Sequence, residues 1–394
     1  MRKKIVFYLK NSNLISELYF IIGTILVNFL KLFVRAQSKT ALFVSYGGKK
    51  MNDSPYAIYE AMKHDKRFSD WKLVWAFIDP QSFEIKNKVK IDSFSYFKMC
   101  LTARVWVTNS GIKRYLNFSG KNTYFINTWH GIPLKKIGID EIGVKKSRIF
   151  ARKWFEFKNA DMNLYHSNYD FAILKHVFDA EKSTFFNYGL PRNDVLYANY
   201  DNKALKQSIK KKLGIADDKK VILYAPTVRG NQLARSKQNV FKNPFNFDRW
   251  KIEFPNCVIL FRAHYYVDEE ENTDFDNVID VTNYKSIEDL YLVADALISD
   301  YSSVFFDYSI LGRPMFCYAY DLKDYSAYQG LYLNPSEILS NVSKTENELI
   351  QQIKENGLVQ NDKSSIAFRN KFIGLDKGNA ANKILDQVIK NVEK

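Results

Sequence analysis

From Ala41 onward the chain alternates apolar runs of strand length with helix-prone segments, and this alternation limits the possible folds more than any other feature. "ALFVSYGG" is an apolar run closing on glycines, as a buried parallel strand does before its loop. "SPYAIYEAMKHD" follows as a helix, with Ser54 as N-cap and Pro55 in its first turn. "WKLVWAFID" reads as the next strand, "SYFKMCLTA" as a helix, and "RVWVTNSG" and "NTYFINTWHG" as strands running into loops. "ADMNLYHSNYD" and "KSTFFNYGLPRND" extend the series. Strands that are apolar on both faces and separated by helices predict a parallel sheet covered on both sides.

A charged, helix-prone stretch, "NKALKQSIKKKLGIADDKK", separates this series from a second one. The second contains "VILYAPTVRG", "CVILFRAHYYV", "NVIDVTN", the helix "SIEDLYLVA", the strand "DALISD", the helix "SSVFFDYSILG" and the strand "RPMFCYAYD". A chain of 394 residues is long enough for two domains. The reading is therefore α/β, with an N-terminal Rossmann-like domain over residues 39–200 and a second over 201–394. Two parallel-sheet domains facing a cleft describe a GT-B-like architecture. Ligands of open parallel sheets bind beyond the carboxyl ends of the strands, so the polar clusters there are the candidates for chemistry.

Residues 1–38 precede both domains. Their uncharged stretch, Leu18 to Leu30, is 13 residues long. A membrane span needs about 20. Arg2, Lys3, Lys4 and Lys10 lie on one side, and Lys31 and Arg35 on the other. No small-residue cleavage site marks a signal peptide. Bases on both flanks favour an apolar helix lying in an anionic leaflet, with its lysines at headgroup level, over a buried core or dimer helix or a true span.

The formal net charge of +15 favours anionic partners, whether nucleic acid, anionic lipid or phosphorylated substrates. The basic residues form no continuous block and no nucleic-acid motif is present, which argues against nucleic acid. Cys100, Cys257 and Cys317 are far apart in apolar stretches, so they suit reduced core residues of a cytoplasmic protein. There is no CxxC or HExxH, and no pair among His64, His130, His166, His176 and His264 has zinc-helix spacing, so no structural metal site is expected.

Five clusters stand at strand ends. In "INTWHGIPLKKIG", His130 sits at a strand tip with Gly131 and Lys135 beside it. An imidazole there could take a proton from an attacking hydroxyl, and Gly131 would admit close approach to the backbone. "GLPRND" carries Arg192 and Asp194; its composition also suits a plain turn. "YAPTVRG" sets Thr227 and Arg229 after a strand, and "FRAH" sets Arg262 and His264 two apart, on one side of a continuing strand. Each pairs a hydroxyl or imidazole with a guanidinium, as a diphosphate would need. In "ALISDYSSVFFDYSILG", Asp300 precedes Ser302 and Ser303, either of which could cap the following helix and leave an anion site at its N-terminus. No acidic cluster suits a metal. Charge stabilisation is expected from protein groups, with Asp300 the residue placed to approach a divalent cation such as Mg.

Taken in order, "NTWHGIPLKKIG", "GLPRNDVL", "ILYAPTVRG", "FRAH" and "LISDYSSVFFDYSILGRPMFCYAYDLKDY" followed by "GLY" resemble the CDP-glycerol glycerophosphotransferase family of teichoic acid primases and polymerases. The match covers roughly Val105 to Tyr332. The resemblance implies a GT-B fold and a CDP-alditol donor. It also implies a lipid-linked saccharide acceptor at the cytoplasmic face of the membrane, transfer of glycerol or ribitol phosphate, and release of CMP. It places His130 on the family's proposed general base and His264 on a second essential histidine near the donor phosphates. Arg262, Ser302 and Ser303 fall on donor-contacting positions. Two other readings remain open at this point. A GT-B transferase of a nucleotide sugar would share the fold, and a basic membrane-surface protein without activity would share the charge.

Overall fold

The computed structural model describes residues 12–142, 156–227, 244–262, 277–374 and 378–392. They form two compact units, each built on a parallel sheet. The first sheet has seven strands: β1 (Gln37–Val44), β2 (Lys72–Phe77), β3 (Lys88–Lys90), β4 (Ala103–Thr108), β5 (Tyr124–Asn127), β6 (Met162–Leu164) and β7 (Phe185–Phe186). Their order is β3-β2-β1-β4-β5-β6-β7.

Alternation along each strand divides the core between the two faces of this sheet. Leu42 and Val44 join Val74, Ala76, Trp106 and Phe125 on one face. Ala41 and Phe43 join Trp75, Phe77, Val105 and Ile126 on the other. Phe43 lies opposite Trp75 in the β1–β2 register, their rings stacked at 5.4 Å. Helices Phe94–Thr102 and Asn168–Phe178 cover the first face with Tyr96, Leu101, Leu174 and Phe178. Helix Asp53–His64 covers the second with Ile58 and Met62. The expected cap of that helix shifts by two residues: Asn52 holds the N-cap position without a side-chain bond, and Ser54 lies inside the first turn. Asp53, at φ +64°, bends the backbone at that point.

The second sheet has six strands: β8 (Lys220–Tyr224), β9 (Cys257–Phe261), β10 (Val278–Asp280), β11 (Ala296–Ser299), β12 (Met315–Tyr318) and β13 (Val342–Ser343). Their order, β10-β9-β8-β11-β12-β13, repeats the pattern of the first sheet. In both, the strand order reverses beside the first strand, between β1 and β4 in one and between β8 and β11 in the other. The crevice beyond the carboxyl ends at such a reversal is where doubly wound sheets take ligands. The α/β reading with two Rossmann-like sheets and an N-terminal apolar helix therefore holds.

The units do not divide the chain at residue 200. The last helix, Ala380–Val392, returns to the first unit, because Ile384, Leu385 and Val388 close the face made by Ile58, Met62 and Trp75. Residues Gly131–Lys136 group with the second unit. There Lys136 N–H donates to Gly330 O at 3.1 Å and Tyr332 N–H to Leu134 O at 2.9 Å.

The N-terminal helix is Asn13–Leu32, longer than the uncharged stretch alone suggests, with Glu17 included and Ser12 as N-cap. Its length and its mean hydropathy of 1.6 would suffice to cross a membrane. One side, however, is fastened to residues 114–119. Tyr19 OH donates to Arg114 O, Asn28 Nδ2 to Asn117 O and Lys31 Nζ to Ser119 Oγ. Gly23 faces Leu116, whose side chain would lie 2.8 Å from an added Cβ. The opposite side, with Leu18, Ile22, Ile25, Leu26, Phe29 and Phe33, is exposed.

Asp194 has a role in the fold. Its carboxylate accepts the Ala380 and Ala381 N–H groups at 3.0 and 2.8 Å, capping the returning helix from a distant part of the chain. Asp194→Ala should lower stability by about 1–2 kcal/mol, the range for a lost helix cap. Urea denaturation should show a lower midpoint at unchanged slope; an unchanged midpoint would show that the cap is dispensable.

Candidate active site

His130 follows β5, and its ring is held by the loop after β4. Its Nδ1 lies 2.7 Å from the backbone oxygen of Asn109. A carbonyl oxygen can only accept, so Nδ1 carries the proton, and in the neutral tautomer with this proton the basic ring nitrogen is Nε2. The Trp129 ring lies 4.0 Å from the imidazole and is packed by Phe157 and Phe178. Trp129 adopts φ +54° and Gly131 φ +146°. The chain thus turns on both sides of His130, and the second turn uses backbone space that favours glycine.

A buried ion pair supports this turn. Arg192 Nη1 donates to Asp53 Oδ2 at 2.7 Å and to the backbone oxygen of His130 at 3.0 Å. Tyr46 OH donates to the same Asp53 oxygen at 2.6 Å, and Ser54 N–H to the other at 2.5 Å. Burial would raise the Asp53 carboxyl, but the Arg192 guanidinium and these two hydrogen bonds outweigh it and hold the group below the usual carboxylate range. Tyr46 is placed in turn by its N–H, which donates to Asn109 Oδ1 at 2.8 Å. The loops after β1, β4 and β5 therefore meet at the strand-order reversal of the first sheet.

Sequence reasoning singles out His130 and Arg192 but misses Tyr46, Asp53 and Asn109. "SYGG" and "TNSG" do place polar residues at the ends of β1 and β4. That position is the available signal.

The second unit gathers several other expected residues at its own reversal. Thr227, after β8, donates its N–H to both oxygens of Asp300, after β11, at 2.9 and 3.1 Å. Tyr301 N–H also donates to Asp300, at 2.7 Å. Ser303 occupies the N-cap of the six-residue helix Val304–Ser309, without a side-chain bond. The hydroxyl of Ser302 instead accepts the Val304 N–H, at 3.4 Å. Arg262 directs Nη1 to the backbone oxygens of Val281 and Tyr284, at 3.0 and 2.9 Å. Lys135 joins this unit through the 131–136 segment, with Nζ 5.9 Å from the centre of the Tyr325 ring, which stacks on Tyr301 at 4.2 Å. Arg229 and His264 lie outside the described residues.

Two doubly wound sheets with polar groups at both strand-order reversals define a GT-B-type protein. The chain belongs to the CDP-Glycerol:Poly(glycerophosphate) glycerophosphotransferase family, which matches residues 26–390. It is 33% identical over 370 residues to a teichoic acid poly(glycerol phosphate) polymerase of Staphylococcus epidermidis, covering 90% of this chain and 51% of that protein. The chain thus spans about half the length of that relative. It is also 33% identical over 362 residues to a teichoic acid glycerol-phosphate transferase of Staphylococcus aureus, covering 88% of this chain and 92% of the relative. Among solved structures it resembles the wall teichoic acid polymerase TagF, at a TM-score of 0.83 and 30% identity over 98% of both chains. A histidine variant of TagF soaked with CDPG matches equally well, at a TM-score of 0.83, 30% identity and 99% of this chain against 96% of that one.

Removing the guanidinium in Arg192→Met leaves a buried carboxylate uncompensated, which should cost about 3–5 kcal/mol; adding Asp53→Asn should restore part of it. Because the folded carboxyl is held below its unfolded value of about 3.9, the pair's contribution is present above that pH and is lost as pH falls through the lower folded value. Denaturation of both variants at about pH 7 and about pH 3.5, on either side of that unfolded value, measures this. A double variant no more stable than Arg192→Met would count against the pairing.

Proposed function

We propose that the protein transfers glycerol phosphate from CDP-glycerol to a hydroxyl of a lipid-linked saccharide and releases CMP. The observation that supports this reading is the His130–Asn109 hydrogen bond, which fixes the Nδ1–H tautomer, so that Nε2 would serve as the base at a strand-order reversal in a chain of this family. CDP-glycerol is supported as donor by the glycerol phosphate named for the relatives and by the CDPG soaked into TagF.

In the proposed reaction, an acceptor hydroxyl attacks the phosphorus that bears glycerol, and its proton passes to His130 Nε2. The new P–O bond forms as the bond to the bridging oxygen breaks, and CMP leaves with that oxygen. Negative charge on the phosphates would be met by Arg262, His264, Arg229 and the N–H groups around Ser302 and Ser303. Asp300, already accepting the Thr227 and Tyr301 N–H groups, would hold the β8 and β11 loops in place.

The exposed apolar side of helix Asn13–Leu32 supports residence at the cytoplasmic membrane surface, with the opposite side fastened to the first unit. A helix held in this way lies along a surface more readily than across a bilayer. Each basic residue near an anionic leaflet adds about 1 kcal/mol of attraction.

Incubation with CDP-glycerol and CDP-ribitol separately, on a synthetic lipid-linked disaccharide, should add glycerol phosphate and yield CMP by mass spectrometry. A glycoside with a nucleoside diphosphate would replace this reading with sugar transfer, and addition of ribitol phosphate alone would reassign the donor. His130→Ala should lower turnover about 10²–10⁴-fold, the usual range for a lost general base, with the fold intact by circular dichroism. Retention of more than a tenth of the rate would remove His130 from the chemistry. The double variant Ile22→Ser, Ile25→Ser should lose most co-flotation with anionic vesicles; undiminished flotation would place membrane attachment elsewhere.

A further inference from the structure

Between the N-terminal helix and the first sheet lies a cavity of about 480 Å³, within the range of small-ligand sites. Its lining includes the aromatic residues Trp106, Phe118 and Phe125, all nearly inaccessible to solvent. Lys113 also lines it and is only 6% exposed. Its Nζ lies 5.9 Å from the centre of the Phe125 ring and makes no hydrogen bond among the described residues. The side-chain amides of Asn117 and Asn159, on the exposed rim, are likewise without hydrogen bonds among the described residues. Asp161 also lines the cavity, and its Oδ2 accepts the Phe125 N–H at 2.7 Å.

The charges around Lys113 are Asp161 and Glu156. Glu156 Oε1 is engaged by the backbone N–H groups of Ile112 and Lys113, so its bonding is directed at the main chain. Burial pulls the Lys113 ammonium below its ordinary pKa, against the opposing pull of Glu156 and Asp161. A buried ammonium lacking a hydrogen-bonded acceptor is costly, and an anionic oxygen brought into the cavity would offset that cost.

The location indicates the source of that oxygen. At about 100° per residue, Thr24 and Asn28 lie on the flank of the helix, between the buried stripe at Val27 and the exposed apolar side at Ile21 and Ile25. Both line the cavity. If the apolar side enters the acyl region of a leaflet, this flank lies at headgroup depth, with the cavity beside it.

We propose that this cavity binds the headgroup of a membrane phospholipid, a phosphodiester whose alcohol carries hydrogen-bond donors, as in phosphatidylglycerol. Lys113 meets the phosphate, and Asp161 with the two asparagine amides meets the hydroxyls. The proposal deepens the membrane-surface reading and rests on it for the lipid source.

Short-chain dihexanoyl phosphatidylglycerol, titrated below its micelle concentration into the full chain and followed by calorimetry, tests the site without a bilayer. One-to-one binding is expected, about tenfold or more weaker for dihexanoyl phosphatidylcholine and for Lys113→Met. The rim variant Asn117→Ala, Asn159→Ala, which alters only exposed side chains, should weaken it severalfold and covers the case in which Lys113→Met fails to fold. Ile22→Ser, Ile25→Ser should bind the soluble lipid normally while losing vesicle flotation, so the cavity and the anchor can fail separately. Equal binding by the rim variant and the unaltered protein, no binding, or binding of free glycerol 3-phosphate without the lipid would overturn the proposal.

Discussion

The buried guanidinium of Arg192 ties together three parts of the chain that are distant in sequence. It reaches Asp53 at the start of one helix and the carbonyl of His130 at the end of β5, from a turn after β7. Parallel strands deliver their loops to one edge of the sheet but do not by themselves fix the loop conformations. Here the fixing is electrostatic and local. Asp53 receives Arg192, Tyr46 and the Ser54 N–H, while Asn109 receives the Tyr46 N–H on its side chain and the imidazole on its carbonyl. The orientation of one imidazole thus depends on a carboxylate it does not touch.

Among the described residues the second unit shows the same logic. Asp300 bridges the ends of β8 and β11 through backbone N–H groups, as the Asn109 carboxamide links the loops after β4 and β1. Ser299 Oγ adds a bond to Ala225 O across the same pair of strands. In both sheets the strand-order reversal is held by polar side chains hydrogen-bonded to the backbone of neighbouring loops. Such bonds favour a single loop conformation over the many an open crevice would otherwise allow.

Much of the layering is legible in the sequence, because strand and helix periods are local properties. Within the described residues, every stretch that reads as a strand coincides with an observed one, from "ALFVSYGG" through "RPMFCYAYD". Among the candidate residues, His130, Thr227, Asp300 and Ser302 do lie at strand ends. What the sequence does not reveal are the pairings that exist only after folding. Asp53 reads as an ordinary residue before a helix, yet it is the partner of Arg192, 139 positions away. Asp194 reads as a turn residue facing substrate, yet its carboxylate caps a helix nearly two hundred residues later. Ser54 and Asn52 are comparable N-caps by residue type; the helix starts at Asn52, with Asp53 following at φ +64°.

The return of helix Ala380–Val392 to the first sheet sets an order on biosynthesis. Ile384, Leu385 and Val388 are made only after every strand of the second sheet has been translated. Until then the face formed by Ile58, Met62, Trp75 and Phe77 lacks the part of its cover that Ile384, Leu385 and Val388 supply. At synthesis rates of roughly 5–20 residues per second, the stretch from Asp194 to Ala380 takes on the order of ten seconds or more. During that interval the first unit is incomplete, and the second is itself completed only at Leu375, just ahead of the returning helix. The half of the protein that begins first is therefore the half that finishes last.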